Sequence, residues 1–249
     1  VGRHVATRGD HPAIVVEHED GSVEERTYAE LWDEVGRLGA LLRGLGVGEG
    51  DRVAIVLPMG IEAVAALYAT ARIGAVIVPI FSGFSAPAIA ARFADCAVAV
   101  VITADTTTRR GREVPVRATV DEALALAPVP HVITIGRDDI PAGDCPVVSC
   151  DAEAPVMIGY TSGTTGRPKG AVHTHGGLLS KLALEGRLVM DLRPDDRVLW
   201  VTDMGWIMGP WVTIGAHARG ATLVCFDGAP DWPDPGRLWR VAEQQRLTF

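Results

Sequence analysis

The sequence has no apolar run long enough to cross a membrane. Its most apolar stretch, residues 53–84, is interrupted by Pro58, Glu62, Arg72 and Pro79, whereas a membrane helix needs about 20 largely uninterrupted apolar residues. The chain also opens without the basic and apolar segments of a secretory signal. We therefore expect a protein that has no membrane span and is located in the cytoplasm.

Cysteine is scarce and is not arranged for metal binding. The four cysteines, Cys96, Cys145, Cys150 and Cys225, include no C-x-x-C pair and have no cluster of histidines beside them. This spacing favours neither a zinc site nor a disulfide framework. We expect buried or half-buried thiols in a reducing compartment, and we identify no set of metal ligands in the chain.

Positive charge is also in short supply. Lys and Arg number 23 against 31 Asp and Glu, which gives a formal net charge of −8. A surface of this sign repels a phosphate backbone, so nucleic acid is not an expected partner. An acidic protein can still hold a small phosphorylated ligand, but it then needs a local site lined by cations or backbone amides.

What the sequence does contain is a regular alternation of strand and helix patterns. Thr27 and Glu30 form a capping box that starts a helix, and the glycine-rich residues 44–50 end it. Four apolar residues recur on one face of this helix: Leu31, Val35, Leu38 and Leu42. This spacing indicates an amphipathic helix that packs against a core.

Short apolar runs, several followed by helical patterns, fill the rest of the chain. The predicted strands are 53–57, 75–80, 97–103, 131–135, 156–160, 197–201 and 222–226. The predicted helices are 60–73, 86–93 and 238–245, the last behind a start at Asp234 and Pro235, whereas 114–118 and 138–154 are predicted connections. Residues 247–249 resemble the beginning of a further strand. Continuous β-branched runs favour parallel strands buried on both faces, so the expected fold class is α/β.

One loop, residues 161–170, concentrates glycines, hydroxyls and cations directly after a predicted strand. Glycines let backbone amides approach an anion, hydroxyls donate hydrogen bonds to phosphate oxygens, and Lys169 supplies a mobile positive charge. The spacing is not that of a Walker A loop, because the glycines are too close together and a glycine follows the lysine. It is not a nucleophile elbow either, because Tyr160 stands two residues before Ser162 where a glycine is required.

This loop resembles the signature of the adenylate-forming superfamily, which includes acyl-CoA synthetases, luciferases and the adenylation domains of peptide synthetases. Further segments are similar to the acetyl-CoA synthetase branch of that superfamily: residues 81–85, 103–105, 109–112, 200–209 and 226–239. The resemblance covers nearly the whole chain from about His4 onward. It implies an AMP-forming enzyme that activates a short- to medium-chain carboxylic acid with ATP and Mg²⁺ and then transfers the acyl group to coenzyme A.

The resemblance also implies site residues. Lys169 and Thr164 match catalytic positions of the loop, and seven residues match its contacts to the ATP phosphates: Thr161, Ser162, Gly163, Thr164, Thr165, Gly166 and Lys169. Three residues match the wall of the acyl pocket: Trp206, Ile207 and Met208. Acetate enzymes usually carry Val and Thr after this tryptophan, which puts acetate itself in doubt. Five residues match the coenzyme A site: Phe81, Ser82, Gly83, Arg109 and Arg112.

Several motifs that the resemblance leads us to expect are missing, including the ribose-binding aspartate and the C-terminal catalytic lysine. We therefore expect a truncated N-terminal domain built from two interleaved α/β subdomains with mostly parallel sheets. Residues 51–185 are expected to form one subdomain that ends in the phosphate loop, and 1–50 and 186–249 to form parts of a second, incomplete one. Two alternatives stay open: an adenylate-forming enzyme that delivers to a carrier-protein thiol, and a non-catalytic nucleotide-binding remnant.

Overall fold

The structure, a computed structural model, describes residues 1–161 and 168–249. The helices are α1 (Gly2–Arg8), α2 (Tyr28–Gly44), α3 (Ile61–Arg72), α4 (Ala86–Cys96), α5 (Val116–Leu126), α6 (His175–Leu184), α7 (Met208–Arg219) and α8 (Arg237–Gln244), with a π-helical turn at Glu185–Val189. The strands are β1 (Pro12–His18), β2 (Val23–Thr27), β3 (Arg52–Val56), β4 (Val76–Pro79), β5 (Val100–Ala104), β6 (Thr106–Arg109), β7 (Arg112–Pro115), β8 (His131–Ile135), β9 (Pro155–Thr161), β10 (Lys169–Thr174), β11 (Arg197–Leu199) and β12 (Thr222–Asp227).

The larger sheet of the described region has six strands in the order β10-β9-β4-β3-β5-β8. All neighbours in it are parallel except β9 and β10, which form an antiparallel pair. Its strands carry the continuous apolar runs because both faces of the sheet are covered. In β3, Val53 and Ile55 belong to the core shared with α3, whereas Ala54 and Val56 pack on the opposite side against α4 and α5. The predicted α/β class with mostly parallel strands is confirmed.

The second sheet has the order β11-β12-β1-β2. Strand β12 is parallel to both of its neighbours, and β2 pairs antiparallel with β1. Residues 248–249 continue the pairing along β11, because the amide of Leu199 donates to the Phe249 carbonyl at 3.0 Å and the amide of Thr248 donates to the Arg197 carbonyl at 3.0 Å.

A buried helix lies between the two sheets. Helix α3 packs on β3 and β4 of the larger sheet, on β1 of the smaller sheet and on α2. Its sequence explains this position, since small and branched apolar residues occur around nearly its whole circumference: Ile61, Ala63, Val64, Ala65, Ala66, Leu67 and Ala69 are all buried. A helix that is apolar all round belongs inside a protein. One continuous core therefore joins both sheets.

Several local predictions are confirmed and two are wrong. The capping box is present, with the Thr27 hydroxyl accepting from the amide of Glu30 and the Glu30 carboxylate accepting from the amide of Thr27. Residues 114–118 are not a connection, because β7 ends at Pro115 and α5 begins at Val116. Only three residues of α5 are buried: Val116, Val120 and Ala123. This short apolar stripe is a weak helical pattern, so the helix was not predicted.

The predicted start of the last helix is also wrong in detail. Helix α8 begins at Arg237 behind Gly236. The Asp234 carboxylate accepts from the amide of Gly236 at 2.8 Å and pairs with Arg240, so it orders the turn before the helix. The cysteines are buried or half-buried as expected. Within the described ranges, no helix combines the length and apolar character that a membrane crossing requires.

A buried histidine ties the helical layer to the smaller sheet. His217 on α7 donates from Nε2 to the Ala13 carbonyl on β1 at 2.9 Å, and its Nδ1 accepts from the Tyr68 hydroxyl on α3 at 2.8 Å. The carbonyl can only accept, which places the proton on Nε2 and leaves Nδ1 as the acceptor. Burial lowers the pKa of His217 to about 3, so the side chain is neutral in the folded protein.

This lowered pKa predicts a loss of stability in mild acid. The unfolded chain takes up a proton on this histidine below its ordinary pKa of 6.5, whereas the folded chain does not, so the contribution is complete above pH 6.5 and falls as the pH decreases toward 3. Between pH 7 and pH 5 the loss from this one group amounts to about 2 kcal/mol. Urea unfolding at both pH values checks this in the wild type and in His217→Gln, whose amide does not titrate.

We expect the stability difference between wild type and His217→Gln to be smaller at pH 5 than at pH 7 by about that amount. His131→Gln on β8 serves as the control for loss of a histidine elsewhere. A difference that stays constant between the two pH values would show that His217 is not protonated on unfolding in this range.

Candidate active site

A cleft of about 370 Å³ opens where loops from both sheets meet. Its walls come from the segments that follow β3, β4, β11 and β12 and from the β6–β7 hairpin. The lining residues are Pro58, Met59, Phe81, Ser82, Gly83, Thr107, Thr108, Arg109, Val114, Val201, Thr202, Asp203, Trp206, Phe226, Asp227, Gly228 and Pro230. Parallel strands send their carboxyl ends to one edge of a sheet, and ligands of α/β proteins bind at such edges.

The predicted phosphate loop leaves the same edge. Thr161 ends β9, which runs parallel to β4, and the chain returns along β10 from Lys169, the cross-strand partner of Thr161. Both residues are exposed. Five of the predicted phosphate contacts, Ser162, Gly163, Thr164, Thr165 and Gly166, lie outside the described residues.

The strand that leads into this loop is anchored by an aromatic and cationic contact. The Tyr160 hydroxyl donates to the Asp95 carboxylate at 2.7 Å. The buried Arg92 guanidinium lies 4.3 Å from the centre of the Phe84 ring and 5.4 Å from that of Tyr160. Burial lowers the pKa of Arg92. These contacts connect the strand that leads into the predicted phosphate loop to Phe84, which packs against the cleft residues Phe81 and Trp206.

Phe81 and Trp206 form an aromatic wall of the cleft, and Phe84 packs against both of them. The ring of Trp206 lies 5.6 Å from Phe81 and 6.0 Å from Phe84, and the two phenylalanines meet edge to face at 5.4 Å. Gly205 makes this packing possible, because a Cβ on it would stand 1.9 Å from the backbone nitrogen of Phe81. The chain after β11 therefore lies directly on the backbone that follows β4.

Asp203 is a charged group of the cleft that the sequence prediction did not assign. Its carboxylate accepts from the amide of Gly205 at 2.8 Å and from the Ser82 hydroxyl at 3.2 Å. Burial raises the pKa of the Asp203 carboxyl to about 6, although these hydrogen bonds and the nearby Arg109 oppose the change. Asp203 lies between Thr202 and Gly205, within the segment that carries the family resemblance. Its position in that segment is the sequence feature from which it could have been predicted as a cleft residue.

The β6–β7 hairpin presents the two predicted coenzyme A arginines at its tip. Arg109 and Arg112 are cross-strand partners on either side of a two-residue turn, and both are exposed. The turn residues Arg110 and Gly111 have φ values of 54° and 67°, as a type I′ hairpin turn requires. Arg109 lines the cleft together with Thr107 and Thr108, which the sequence prediction did not identify.

The three predicted acyl-pocket residues are distributed over adjacent surfaces. Trp206 lines the main cleft, whereas Ile207 lines a neighbouring cavity of about 260 Å³ between β10, α6 and α7. Met208 is the first residue of α7 and is partly buried. The structure thus brings Phe81, Ser82, Gly83, Arg109 and Trp206 into one cleft and places Ile207 beside it.

Comparison with known proteins shows which family this chain resembles. Residues 1–249 match the family described as AMP-binding enzyme. The chain is 42% identical to the acetyl-coenzyme A synthetase of Chromobacterium violaceum over 270 residues and 43% identical to that of a Marinomonas species over 273 residues. These alignments cover 99% and 100% of this chain but 41% and 42% of those proteins.

A solved structure shows the same fold. The acetoacetyl-CoA synthetase from Streptomyces lividans superposes with a TM-score of 0.93 at 35% sequence identity, over 99% of this chain and 40% of that chain. This chain therefore spans about two fifths of the length of the relatives that it matches.

The close approach at Gly205 predicts that a single added methyl group at this position destabilises the protein. Gly205→Ala forces the Phe81 backbone or the chain after β11 to move, so we expect a loss of about 2 kcal/mol or more in the free energy of unfolding. Gly215→Ala on α7 is the matched control, because its Cβ would meet no atom within 4 Å. Alanine is a better helix former than glycine, so the control is expected to be neutral or slightly stabilising. Urea unfolding of both variants tests this, and equal effects would argue against the close approach.

Proposed function

The chain belongs to the family of AMP-binding enzymes, and we propose that it is the N-terminal part of an AMP-forming acyl-CoA synthetase. The observation that carries this proposal is the meeting of three predicted sites at the carboxyl ends of the strands. In support of it, Trp206 and Arg109 line the cleft, and Thr161 and Lys169, the two ends of the predicted phosphate loop, lie at the sheet edge where β4 and β9 end. The proposed reaction needs its three substrates, ATP, a carboxylic acid and coenzyme A, within reach of each other.

The first proposed step joins the acid to ATP. A carboxylate oxygen attacks the α-phosphorus, the bond to the β-phosphate oxygen breaks, and pyrophosphate leaves with the negative charge. We assign the stabilisation of that charge to Lys169, at the start of β10, together with Thr161 and the loop residue Thr164. The described residues contain no cluster of His, Cys, Asp and Glu that could hold a metal ion. We assign Mg²⁺ to the phosphate oxygens of ATP and to water, since this ion usually keeps several waters beside substrate phosphates.

The second proposed step transfers the acyl group. The thiol of coenzyme A attacks the acyl carbonyl, the bond to the AMP phosphate oxygen breaks, and AMP leaves. We assign the phosphate end of coenzyme A to Arg109 and Arg112, because a guanidinium donates two parallel hydrogen bonds to a phosphate. Phe81, Ser82 and Gly83 supply the adjoining surface for its adenine.

The acyl chain is assigned to the surface formed by Trp206, Ile207 and Met208. Tryptophan offers a flat apolar wall, and Ile207 extends the surface toward the cavity beside α6. We propose a short- to medium-chain acid as the substrate. The names of the relatives, acetyl- and acetoacetyl-CoA synthetase, apply to those proteins and indicate small acyl groups.

We also propose that residues 51–185 form one α/β subdomain, with 1–50 and 186–249 contributing to a second. The six-stranded sheet draws its strands from residues between Arg52 and Thr174, and the four-stranded sheet draws its strands from both sides of that stretch. Because the proposed reaction also needs groups that hold the adenine and ribose, we expect this region to require the rest of the protein for turnover.

One alternative is an enzyme that passes its acyl-adenylate to a carrier-protein thiol. Such an enzyme does not bind the 3′-phosphate of coenzyme A. The two arginines at the hairpin tip therefore favour coenzyme A as the acceptor of the acyl group. A non-catalytic nucleotide-binding remnant is the second alternative, and it predicts no carboxylate-dependent exchange of pyrophosphate into ATP in the full-length protein.

Removal of Lys169 tests the first step. In the full-length protein, Lys169→Ala removes a charge-assisted contact worth roughly 1.5–3 kcal/mol, so carboxylate-dependent ATP–pyrophosphate exchange is expected to slow about tenfold or more. Arg193→Ala is the control, since that exposed side chain pairs with Asp191. If Lys169→Ala exchanges at the wild-type rate, this residue does not act on the phosphates.

Removal of Arg109 tests the second step. Arg109→Ala is expected to raise KM for coenzyme A about tenfold while the exchange reaction stays within about twofold of wild type. Dephospho-coenzyme A, which lacks the 3′-phosphate, is expected to show a smaller penalty from the same substitution. Arg137→Ala, whose exposed side chain pairs with Asp105, serves as the control. A parallel loss in both half-reactions would identify Arg109 as structural.

A further inference from the structure

One carboxylate, that of Glu19, holds together the two opposite walls of the cleft. Its Oε1 accepts from the amides of Arg110 and Ala229, both at 2.8 Å, and its Oε2 accepts from the amide of Gly111 at 2.7 Å. These partners lie 91, 210 and 92 residues away in the sequence. Glu19 directly follows β1, an inner strand of the smaller sheet, so the anchor itself is fixed.

The geometry favours a strong interaction. Hydrogen bonds from backbone amides to an ionised carboxylate are shorter and stronger than those between neutral groups, and Glu19 is only 8% exposed. Burial by itself opposes ionisation, but the three amides and the nearby Arg109 charge together lower the pKa of Glu19. The carboxylate is therefore ionised at neutral pH. Its oxygens accept hydrogen bonds from the hairpin turn and from the segment that follows β12.

Each bonded segment carries part of the cleft lining. Arg110 and Gly111 are the turn of the hairpin whose strand β6 presents Arg109 to the cleft, and Ala229 lies between the lining residues Gly228 and Pro230. A Cβ on Gly228 would stand 2.8 Å from the Cβ of Glu19, so this wall approaches Glu19 as closely as a glycine allows. Glu19 thus sets where the hairpin stands relative to the wall that follows β12.

A second contact supports the turn from the solvent side. The Arg110 guanidinium donates to both oxygens of the Asp231 carboxylate, at 2.7 Å and 2.8 Å. Arg110 thus uses its amide for Glu19 and its side chain for a residue of the same opposite wall. Both contacts join the same two segments, and neither involves the guanidinium of Arg109.

We propose that Glu19 is a positioning residue for the phosphate end of coenzyme A: it holds the hairpin turn so that Arg109 meets the ligand. This inference rests on the proposed function of the cleft. Glu19 itself does not contact the ligand, because its oxygens are occupied by backbone amides, and its effect passes through the orientation of Arg109. The acid is assigned to Trp206, Ile207 and Met208 and the ATP phosphates to the predicted loop. Among the described residues, Glu19 has no hydrogen bond to the acyl-pocket residues, so we expect the first half-reaction not to depend on it.

The test uses Glu19→Gln in the full-length protein. Glutamine keeps the size of the side chain but replaces one acceptor oxygen with a donor NH₂, which faces an amide donor and breaks at least one of the bonds. We expect KM for coenzyme A to rise roughly tenfold, while carboxylate-dependent ATP–pyrophosphate exchange stays within about twofold of wild type. Glu25→Gln, an exposed residue on β2, removes the same charge and is expected to leave both reactions unchanged.

A double-mutant cycle separates positioning from a general structural role. If Glu19 acts through Arg109, then Glu19→Gln has little further effect on KM for coenzyme A in an Arg109→Ala background. Additive effects, or an equal loss in exchange and thioester formation, would overturn the inference. If Arg109→Ala by itself leaves KM unchanged, the coenzyme A assignment of the cleft fails, and that outcome is distinct from a failure of Glu19→Gln alone.

Amide hydrogen exchange gives a direct readout of the geometry. In Glu19→Gln we expect faster exchange at Arg110, Gly111 and Ala229, with unchanged protection in the core strands of the six-stranded sheet. Glu19→Asp, which keeps the charge but shortens the side chain by one methylene, is expected to give an intermediate KM for coenzyme A. It also provides the test should the glutamine variant not fold, and a wild-type KM in the aspartate variant would then overturn the proposal.

Discussion

The contact between the Gly205 backbone and the Ile80–Phe81 peptide is the constraint on which the cleft depends. A side chain at Gly205 has no room, since its Cβ would stand 1.9 Å from the Phe81 nitrogen. This close approach brings the chain that follows β11 of the smaller sheet onto the end of β4 in the larger one. Trp206 then packs on Phe81, and Asp203 reaches the hydroxyl of Ser82. Segments that follow strands of both sheets line the cleft together with the β6–β7 hairpin, so the cleft exists only where these parts meet.

The relative placement of the sheets comes from the buried layer beneath them. Helix α3 is apolar nearly all round and fills the space between β3, β4 and β1. His217 adds a directional contact to this packing, because it bonds Tyr68 on α3 and Ala13 on β1 at the same time. Hydrophobic burial supplies most of the stabilisation and is not directional, whereas a buried hydrogen bond that must be satisfied favours one arrangement.

The cleft also shows how an acidic chain can be suited to anionic ligands. Two carboxylates close to Arg109 accept hydrogen bonds from internal donors: Asp203 from an amide and a hydroxyl, and Glu19 from three amides. These bonds direct the negative charges into the protein. Arg109 lines the cleft, and Lys169 begins the strand that follows the predicted phosphate loop. The net charge of the chain therefore does not describe the local charge at this site.

Elements and motifs that depend on neighbouring residues could be predicted from the sequence. The capping box at Thr27 and the strands with continuous apolar runs follow from local rules, and the structure has both. Helix α5 was missed because only a short stripe of it meets the core. The family resemblance added predicted site residues, of which Phe81, Ser82, Gly83, Arg109 and Trp206 line one cleft.

How these elements are arranged relative to each other depends on long-range packing and could not be predicted from local patterns. The three amides on Glu19 come from segments about 90 and 210 residues away, and no local pattern marks an acidic residue at the end of a strand as their partner. The same holds for Gly205, because no local pattern in the sequence indicates that its backbone approaches Phe81. Long-range contacts of this kind are set by how the two sheets pack on α3, and that packing depends on the whole chain at once.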